Sequence, residues 1–364
     1  MRLLVQPDDG VAPLLAAIKC AKKSIEIVIF RFDRKEIETA LKAAVQRGVF
    51  VHALIAYANR GGEQHLRQLE LRLLDEGVTV ARTANDLVRY HDKMMLIDRT
   101  TLYVLSFNYT ALDIQHSRGF GIVTRNGKFV REAIRLFESD TKRKPYKPAL
   151  DTFLVSPLNA RRGLAAFLRK AKKELLIYDP KISDYEMAKI LSERQKAGVL
   201  IKVIGRLGKR TNGLSAEKLT NIRLHTRTII RDRQQAFVGS QSLRKLELDS
   251  RRELGLVVRD SKVVKRLADV FESDWVATEA GRPKERAAIP KFDEKELRKT
   301  ARVIEQELPQ VANTVKKVVR RIVAKAGEEA FQDEKVQSTV KKAVKKVVKE
   351  AMKEVVESSP LAPG

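Results

Sequence analysis

Two short stretches of the chain carry the same reactive residue types at the same spacing. The first is Tyr90-His91-Asp92-Lys93-Met94-Met95-Leu96-Ile97-Asp98; the second is Leu224-His225-Thr226-Arg227-Thr228-Ile229-Ile230-Arg231-Asp232. Each has a histidine, a cation two residues later and an aspartate five residues after that. Residues two apart on a strand share a face, so His91 is expected beside Lys93 and His225 beside Arg227. One such pair is weak, because a lone histidine is more often a packed or surface residue. Two copies, each opening an apolar run, define a pocket of two imidazoles and two fixed positive charges, which suits a phosphate. A neutral imidazole can attack phosphorus while a second protonates the leaving alcohol. Water or another alcohol then resolves the intermediate. Negative charge spreads over the equatorial oxygens in the transition state, where cations and hydroxyl or amide donors stabilise it. Lys93, Arg227, Asn108 and Ser240 are of the right types.

Other reactive residues have plainer readings. Asp98 and Asp232 each end a strand beside Arg99 or Arg233, so capping or ion pairing is at least as good an account as chemistry. His52 and His65 lie outside the repeats and His116 has Ser250 as its counterpart, so all three are read as incidental. Trp275 is read as a packing residue. Cys20, the only cysteine, rules out an intrachain disulfide and fits a reducing compartment; its helical surroundings predict a buried structural thiol.

The elements that must position these residues also repeat. Residues 11–22 read as a helix, Ser24 to Phe30 as a buried strand, and Glu36 to Arg47 as a helix ended by Gly48 at C′. Val49 to Ile55 is the next strand, and a β-helix-β unit of this kind implies a parallel sheet. Gln64 to Glu76 is a helix closed by Gly77, Thr101 to Leu105 and Gly121 to Thr124 are strands, and Lys128 to Asp140 is a helix. Lys142 to Pro148 reads as a linker. The order then restarts: helix Leu164 to Lys173, strand Glu174 to Tyr178, helix Met187 to Ala197 stopped by Gly198, strand Val199 to Ile204. From His91 onward the halves align without a gap at an offset of 134 residues, and Phe137-Glu138-Ser139-Asp140 meets Phe271-Glu272-Ser273-Asp274. Upstream the offset is 150, because the first half carries an extra helix between Gly48 and His91. This is an internal duplication, expected to form an α/β pseudo-twofold pair of lobes with one site at their junction. The boundaries read as 1–144 for the first lobe, 145–280 for the second and 281–364 for a linker and tail.

Composition bounds the partners. A hydrophobic content of 43% supports a real core, while 72 Lys+Arg against 46 Asp+Glu give a net charge of +26. The segment after residue 282 holds 19 basic and 13 acidic residues, so most of the excess lies on the lobes. Such a surface favours acidic membranes or nucleic acid, against the plainer reading of a basic protein with no dedicated partner. No apolar run approaches ~18 residues, so no membrane span is expected, and the N-terminal stretch lacks the apolar core of a signal peptide. The expectation is a cytoplasmic monomer that could touch a membrane from its surface. In the tail, Val311, Val315, Val318, Val319, Ile322 and Val323 share a helical face that recurs at Val340, Val344, Val347, Val348, Ala351 and Met352, with lysines opposite. Such basic amphipathic helices can lie on acidic membranes, or pair with each other or the lobes.

These residues resemble the phospholipase D superfamily, whose signature is His-x-Lys-x4-Asp twice, each followed by a Gly/Ser-Ser-x-Asn turn and then an acidic residue. The resemblance covers roughly residues 1–280 and is closest to bacterial cardiolipin-synthase-like members, which share runs like Val155-Ser156-Pro157-Leu158-Asn159-Ala160-Arg161. It implies phosphodiester cleavage or transfer through a phosphohistidine, with no metal or other cofactor. By that resemblance His91, Lys93, Asp98, His225, Arg227 and Asp232 are the catalytic motif members, and Ser106, Asn108, Ser240, Ser242 and Glu253 bind phosphate or orient. The departures are specific. Arg227 replaces a lysine, which keeps the charge but not the shape. The first turn, Leu105-Ser106-Phe107-Asn108, lacks its leading glycine, and the second, Gly239-Ser240-Gln241-Ser242, has serine for asparagine. Glu253 stands where a histidine-orienting carboxylate is expected, but its first-half partner is Gly119; Asp113 is a candidate substitute that nothing in the spacing shows. The halves are thus degenerate in complementary ways, and one asymmetric site could be assembled from both. Three readings follow: a phosphodiesterase or phosphatidyltransferase acting on phospholipid headgroups, a metal-independent nuclease of the same fold, or a decayed anion-binding protein. The few aromatic residues argue against base stacking.

Overall fold

The computed structural model describes residues 1–57, 63–209, 211 and 213–278. The tail and its two amphipathic patterns lie outside the described residues. The first half runs β1 (Arg2–Gln6), α1 (Ala12–Cys20), β2 (Ser24–Ile29), α2 (Lys35–Gln46), β3 (Phe50–Ile55), α3 (Glu63–Asp75), β4 (Thr79–Arg82), β5 (Arg89–Tyr90), β6 (Met94–Ile97), β7 (Thr101–Leu105), α4 (Ala111–Gln115), β8 (Ser117–Thr124) and α5 (Gly127–Thr141). The second runs β9 (Phe153–Ser156), α6 (Ala160–Arg169), β10 (Glu174–Ile182), α7 (Tyr185–Lys196), β11 (Leu200–Leu207), β12 (Arg223–Leu224), β13 (Arg227–Arg231), β14 (Gln235–Gly239), α8 (Lys245–Asp249), β15 (Arg251–Val258) and α9 (Ser261–Val276). Every element of the second half has a counterpart in the first; α3 and β4 are the first half's addition.

Two sheets result, ordered β1-β8-β7-β6-β2-β3-β4 and β11-β10-β13-β14-β15-β5. They are mixed rather than parallel. The β2–β3, β3–β4 and β10–β11 pairs are parallel, as the helical crossovers require, while β6, β7 and β8 are antiparallel neighbours, the first two joined by a short turn and the last two by the segment that carries α4. Apolar side chains from the inner faces of both sheets share one core with α5 and α9, including Met94, Phe120, Phe137, Tyr178, Leu254 and Phe271. The outer face of the first sheet buries Leu14, Ile18, Ile37, Leu41 and Leu69 of its helices, and that of the second buries Leu164, Leu168, Met187 and Leu191. The architecture is therefore two α-β-α lobes that share their middle helix layer.

Local chemistry accounts for the boundaries. Gly48, Gly77 and Gly198 end their helices with φ of 82°, 79° and 85°, a conformation that costs glycine little. Helix α6 starts at Ala160, four residues earlier than the periodicity suggests. Its Gly163 lies against Leu154, where an added Cβ would stand 2.4 Å from Leu154 Cδ2; the absent side chain hid the continuing helix face. Cys20 is exposed, not buried. It lies two residues past Ile18, on the opposite side of α1 from the buried Leu14–Ile18 stripe. Trp275 packs on the shared core and stacks on Phe271 at 6.0 Å. Residues 142–148 have no regular structure, but Tyr146 is buried and its hydroxyl donates to Glu132 Oε1 at 2.5 Å.

Candidate functional site at the junction of the lobes

Each histidine is presented on the other lobe's sheet. The two-residue strand β5, just before His91, leaves its own lobe and pairs in parallel with β15, Arg89 opposite Arg251 and Tyr90 opposite Arg252. His91 N–H then donates to Arg252 O at 2.8 Å. In the same way β12 pairs with β8, Arg223 opposite Ser117 and Leu224 opposite Arg118, and His225 N–H donates to Arg118 O at 3.1 Å. His91, Asp92 and Lys93 therefore lie in the irregular segment between β5 and β6 rather than on one continuous strand. Only Arg227 is a strand residue of its motif.

The exchange is locked by a pair of ion pairs that the repeated Phe-Glu-Ser-Asp supplies. Arg118 donates to both oxygens of Asp274 at 2.8 and 2.9 Å, and Arg252 donates to Asp140 at 3.0 Å. Each bond joins one half to the other. The repeat was visible in the sequence, but its arginine partners carry no local signal.

At the junction the two imidazoles and two cations come together. His91 Nδ1 lies 2.8 Å from Glu253 Oε2, and Phe30 makes a T-shaped contact with its ring at 4.6 Å between centroids. Lys93 Nζ donates to the carbonyl of His91, and Arg227 Nη1 donates to the carbonyl of His225 at 2.6 Å. Each cation is thus tethered to the backbone of its own histidine. Lys93 has no accessible surface, and His91, His225 and Arg227 are buried as well. Burial pushes both imidazoles well below their usual range, and Lys93 and Arg227 act on both of them in the same direction. Burial also lowers the Lys93 ammonium to about 7, against the attraction of Glu253, with Arg227 adding to the fall. Burial raises the Glu253 carboxyl, with Lys93 and Arg227 opposing. An anionic group entering here would meet two charges whose desolvation has already been met by the fold.

The turns after β7 and β14 frame this cluster. Ser106 Oγ accepts from Phe120 N–H at 2.8 Å and Ser240 Oγ from Leu254 N–H at 3.1 Å, so both serines clamp the turn to the long strand behind it. Asn108 donates to Asp113 Oδ2 from its backbone at 2.8 Å and from Nδ2 at 2.6 Å, and its Oδ1 is buried without a partner among the described residues. Ser242 N–H donates to Glu247 Oε2 at 2.8 Å, and Ser242 Oγ accepts from Arg227 Nε at 3.4 Å. Asp113 and Glu247 are pseudo-equivalent. Sequence reasoning missed Glu247, although the offset that pairs the other motif residues also pairs these two.

Asp98 and Asp232 are not part of the cluster. They stand at the far ends of β6 and β13, with φ of 53° and 52°. Asp98 accepts from the N–H groups of Lys22, Lys23 and Ser24, and Asp232 from those of Lys172, Lys173 and Glu174, at 2.7–3.1 Å. These amide bonds lower both carboxyls, against a partial desolvation that raises them. The expected partners Arg99 and Arg233 instead bind Glu26 with Glu138 and Glu174 with Glu272. Among the described residues, no group of three His, Cys, Asp or Glu side chains is placed to hold a metal ion.

Comparison with known proteins identifies the family and the fold. A family model described as "Cardiolipin synthase, PLD-like domain" matches residues 14–141 and 164–275. Mitochondrial cardiolipin hydrolase of Mus musculus is 27% identical over 137 residues, 37% of this chain and 59% of that protein. Its Homo sapiens counterpart is 26% identical over 133 residues, 36% of this chain and 50% of that one. The matches thus span only 50–59% of those relatives' lengths. Among solved structures, polyphosphate kinase from Porphyromonas gingivalis shares the fold at a TM-score of 0.62 and 20% identity, over 75% of this chain and 50% of that one. Phosphatidylserine synthase of Haemophilus influenzae shares it at 0.59 and 11%, over 85% of this chain and 94% of that one. With the family model matched over most of both lobes, the chain belongs to the phospholipase D superfamily, in the family typified by the cardiolipin synthase domain.

Proposed function

We propose that the protein is a phospholipase-D-type phosphodiesterase or phosphatidyltransferase that acts on phospholipid headgroups. The observation that carries this reading is the His91–Glu253 contact at 2.8 Å beside two buried cations. With Nδ1 directed at Glu253, the lone pair of His91 lies on Nε2, which makes His91 the nucleophile. The Nε2–phosphorus bond forms as the bond from phosphorus to the leaving alcohol breaks, and His225 gives that alcohol a proton. Burial first, and the field of Arg227 and Lys93 second, keep His225 neutral in the free protein; the diester's own negative charge offsets that field. Water or a second alcohol then attacks phosphorus and loses its proton to His225, and His91 departs. Lys93, Arg227 and Asn108 would hold the equatorial oxygens, while Ser106, Ser240 and Ser242 keep the turns and Arg227 in place. Asp98 and Asp232 serve the scaffold in this account.

The names of the relatives favour lipid phosphodiesters. The net charge of +26 supports an acidic membrane surface as the place of action for a cytoplasmic, monomeric protein. It also supports the second reading, a nuclease of the same fold, for which binding would fall steeply with salt. Trapping tests the chemistry for either substrate. Turnover quenched at alkaline pH and digested should yield a phosphorylated peptide containing His91 from the wild type and none from the His91→Ala variant. A phosphorylated His225 peptide, or none under turnover, would contradict the assignment.

A further inference from the structure

Within the site the two lobes differ where the pseudo-twofold demands a second carboxylate. Glu253 serves His91, but its counterpart is Gly119, and that position is closed. A Cβ on Gly119 would stand 3.0 Å from Phe107 Cδ1 and 3.1 Å from Phe107 Cβ. Phe107 has no exposed surface and occupies the place that Gln241 takes in the other lobe. The nearby carboxylate is Asp113, on α4. Its Oδ2 lies 3.5 Å from His225 Nε2. The side chain is buried and fixed, with Asn108 donating twice to Oδ2 and Arg223 binding Oδ1. The other ring nitrogen, His225 Nδ1, is buried without a hydrogen-bond partner among the described residues. His91 is the reverse case, with Nδ1 on its carboxylate.

We propose that Asp113 is the carboxylate partner of His225 in place of the side chain that Gly119 lacks, and that it acts on the opposite ring nitrogen. The two histidines are then held in opposite tautomers. His91 carries its proton on Nδ1, toward Glu253, and leaves Nε2 basic; His225 carries its proton on Nε2, toward Asp113, and leaves Nδ1 basic. Attraction to a fixed carboxylate selects the tautomer whose N–H faces it. The other charged groups acting on His225 are Arg227, Lys93, Arg223 and His91. Arg227, Lys93 and Arg223 stand here as donors; the one acceptor that could compete with Asp113 is His91, through the Nε2 that Glu253 leaves basic, and the His91→Gln spectrum reads that competition. Asp113 is a positioning residue here, acting through His225 and through Asn108. The inference deepens the two-histidine reading of the site but does not require turnover.

Long-range proton–nitrogen correlation spectra of the full-length protein, with nitrogen-15 in its five histidines, report each tautomer directly. Signals would be assigned with His91→Gln and His225→Gln. The expected wild-type spectrum shows opposite patterns for His91 and His225. Asp113→Asn, which can still accept from Asn108, should let the His225 proton redistribute over both nitrogens while His91 is unchanged. Glu253→Gln should disturb His91 alone. The same Nδ1–H tautomer on both histidines of the wild type would overturn the proposal. So would an Asp113→Asn protein, folded by its amide spectrum, in which the His225 tautomer is unaltered. Neither result would bear on whether the protein turns over a phosphodiester, which the trapping experiment tests separately.

Discussion

Glu253 Oε2 and His91 Nδ1 meet at 2.8 Å although 162 residues separate them in the chain. Neither lobe completes a histidine–carboxylate pair on the conventional nitrogen by itself. The contact exists because β5 crosses to β15 and sets His91 beside the strand that carries Glu253. Glu253→Gln should therefore lower kcat by up to about 10²–10⁴, the range for the positioned acid–base side chain that Glu253 orients, with KM changed much less. An unchanged kcat would remove Glu253 from the orienting role.

The pH profile should report Lys93 as well as the imidazoles. Activity needs a neutral His91, which burial favours down to pH values below the usual imidazole range, and a charged Lys93, whose ammonium is lowered to about 7. The kcat profile, which reports the complex in which the diester has let His225 protonate, is expected to keep its acid limb below 6.5 and to fall on the alkaline side as Lys93 loses its charge. Lys93→Arg should move the alkaline limb up, since a guanidinium stays charged and Arg227 shows that one fits the equivalent place. The same shift has a stability signature. Between the folded value and the ordinary lysine value the unfolded chain binds more protons, so the Lys93 contribution to stability rises with pH across that window. Lys93→Met should remove that rise; an identical pH dependence of stability in the two proteins would contradict the lowered value.

Asp98 separates motif membership from chemistry. Its carboxylate accepts from three backbone amides at a turn remote from the imidazoles. Asp98→Asn should cost about 1–2 kcal/mol of unfolding free energy at neutral pH, allowing for solvent screening at a partly exposed group. Turnover per folded molecule should stay within about twofold. The lowered carboxyl implies stability that is present above the unfolded aspartate value and lost as pH falls through the folded one. Denaturant melts at several pH values check both points, and a large loss of kcat in the folded variant would return Asp98 to the reaction.

The interlobe arginine pairs should govern integrity of the whole site. Arg118 and Asp274 are joined by two bonds, and Tyr178 Oη donates to the same carboxylate at 2.7 Å. Asp274→Ala strands a largely buried guanidinium and should destabilise the lobes by about 3–5 kcal/mol. Paired Arg118→Met and Asp274→Leu should recover part of that loss. If the single variant melts like the wild type, the pair does not hold the lobes together.

Much of this was legible in the sequence because duplication doubles every signal. The constant offset picked out His91 with His225, Lys93 with Arg227 and Ser106 with Ser240, and Glu253 stood out against Gly119. The extra helix α3 showed as the change of offset. What was not legible is where the chain leaves its own lobe. Strands of two residues, β5 and β12, are too short to show a period, so the exchange that presents each histidine left no pattern. The ion pairs of Asp140 and Asp274 depend on arginines more than 100 positions away. Phe107 gave no hint that it closes Gly119, because a buried aromatic reads as core wherever it falls. Arg161-Arg162-Gly163 concealed the start of α6 for the opposite reason, since charge and a glycine broke the apolar period.

The central claim is that both histidines act in one phosphodiester-cleaving site on lipid substrates. The most direct test is turnover of phosphatidylcholine and phosphatidylglycerol vesicles, with and without added alcohol and with EDTA present, by the wild type, His91→Ala and His225→Ala. The account predicts headgroup release, or a transphosphatidylation product when alcohol is present, by the wild type and loss of both in each variant. Turnover that survives in either variant, or none by the wild type on lipid alongside cleavage of DNA by the same protein, would contradict it.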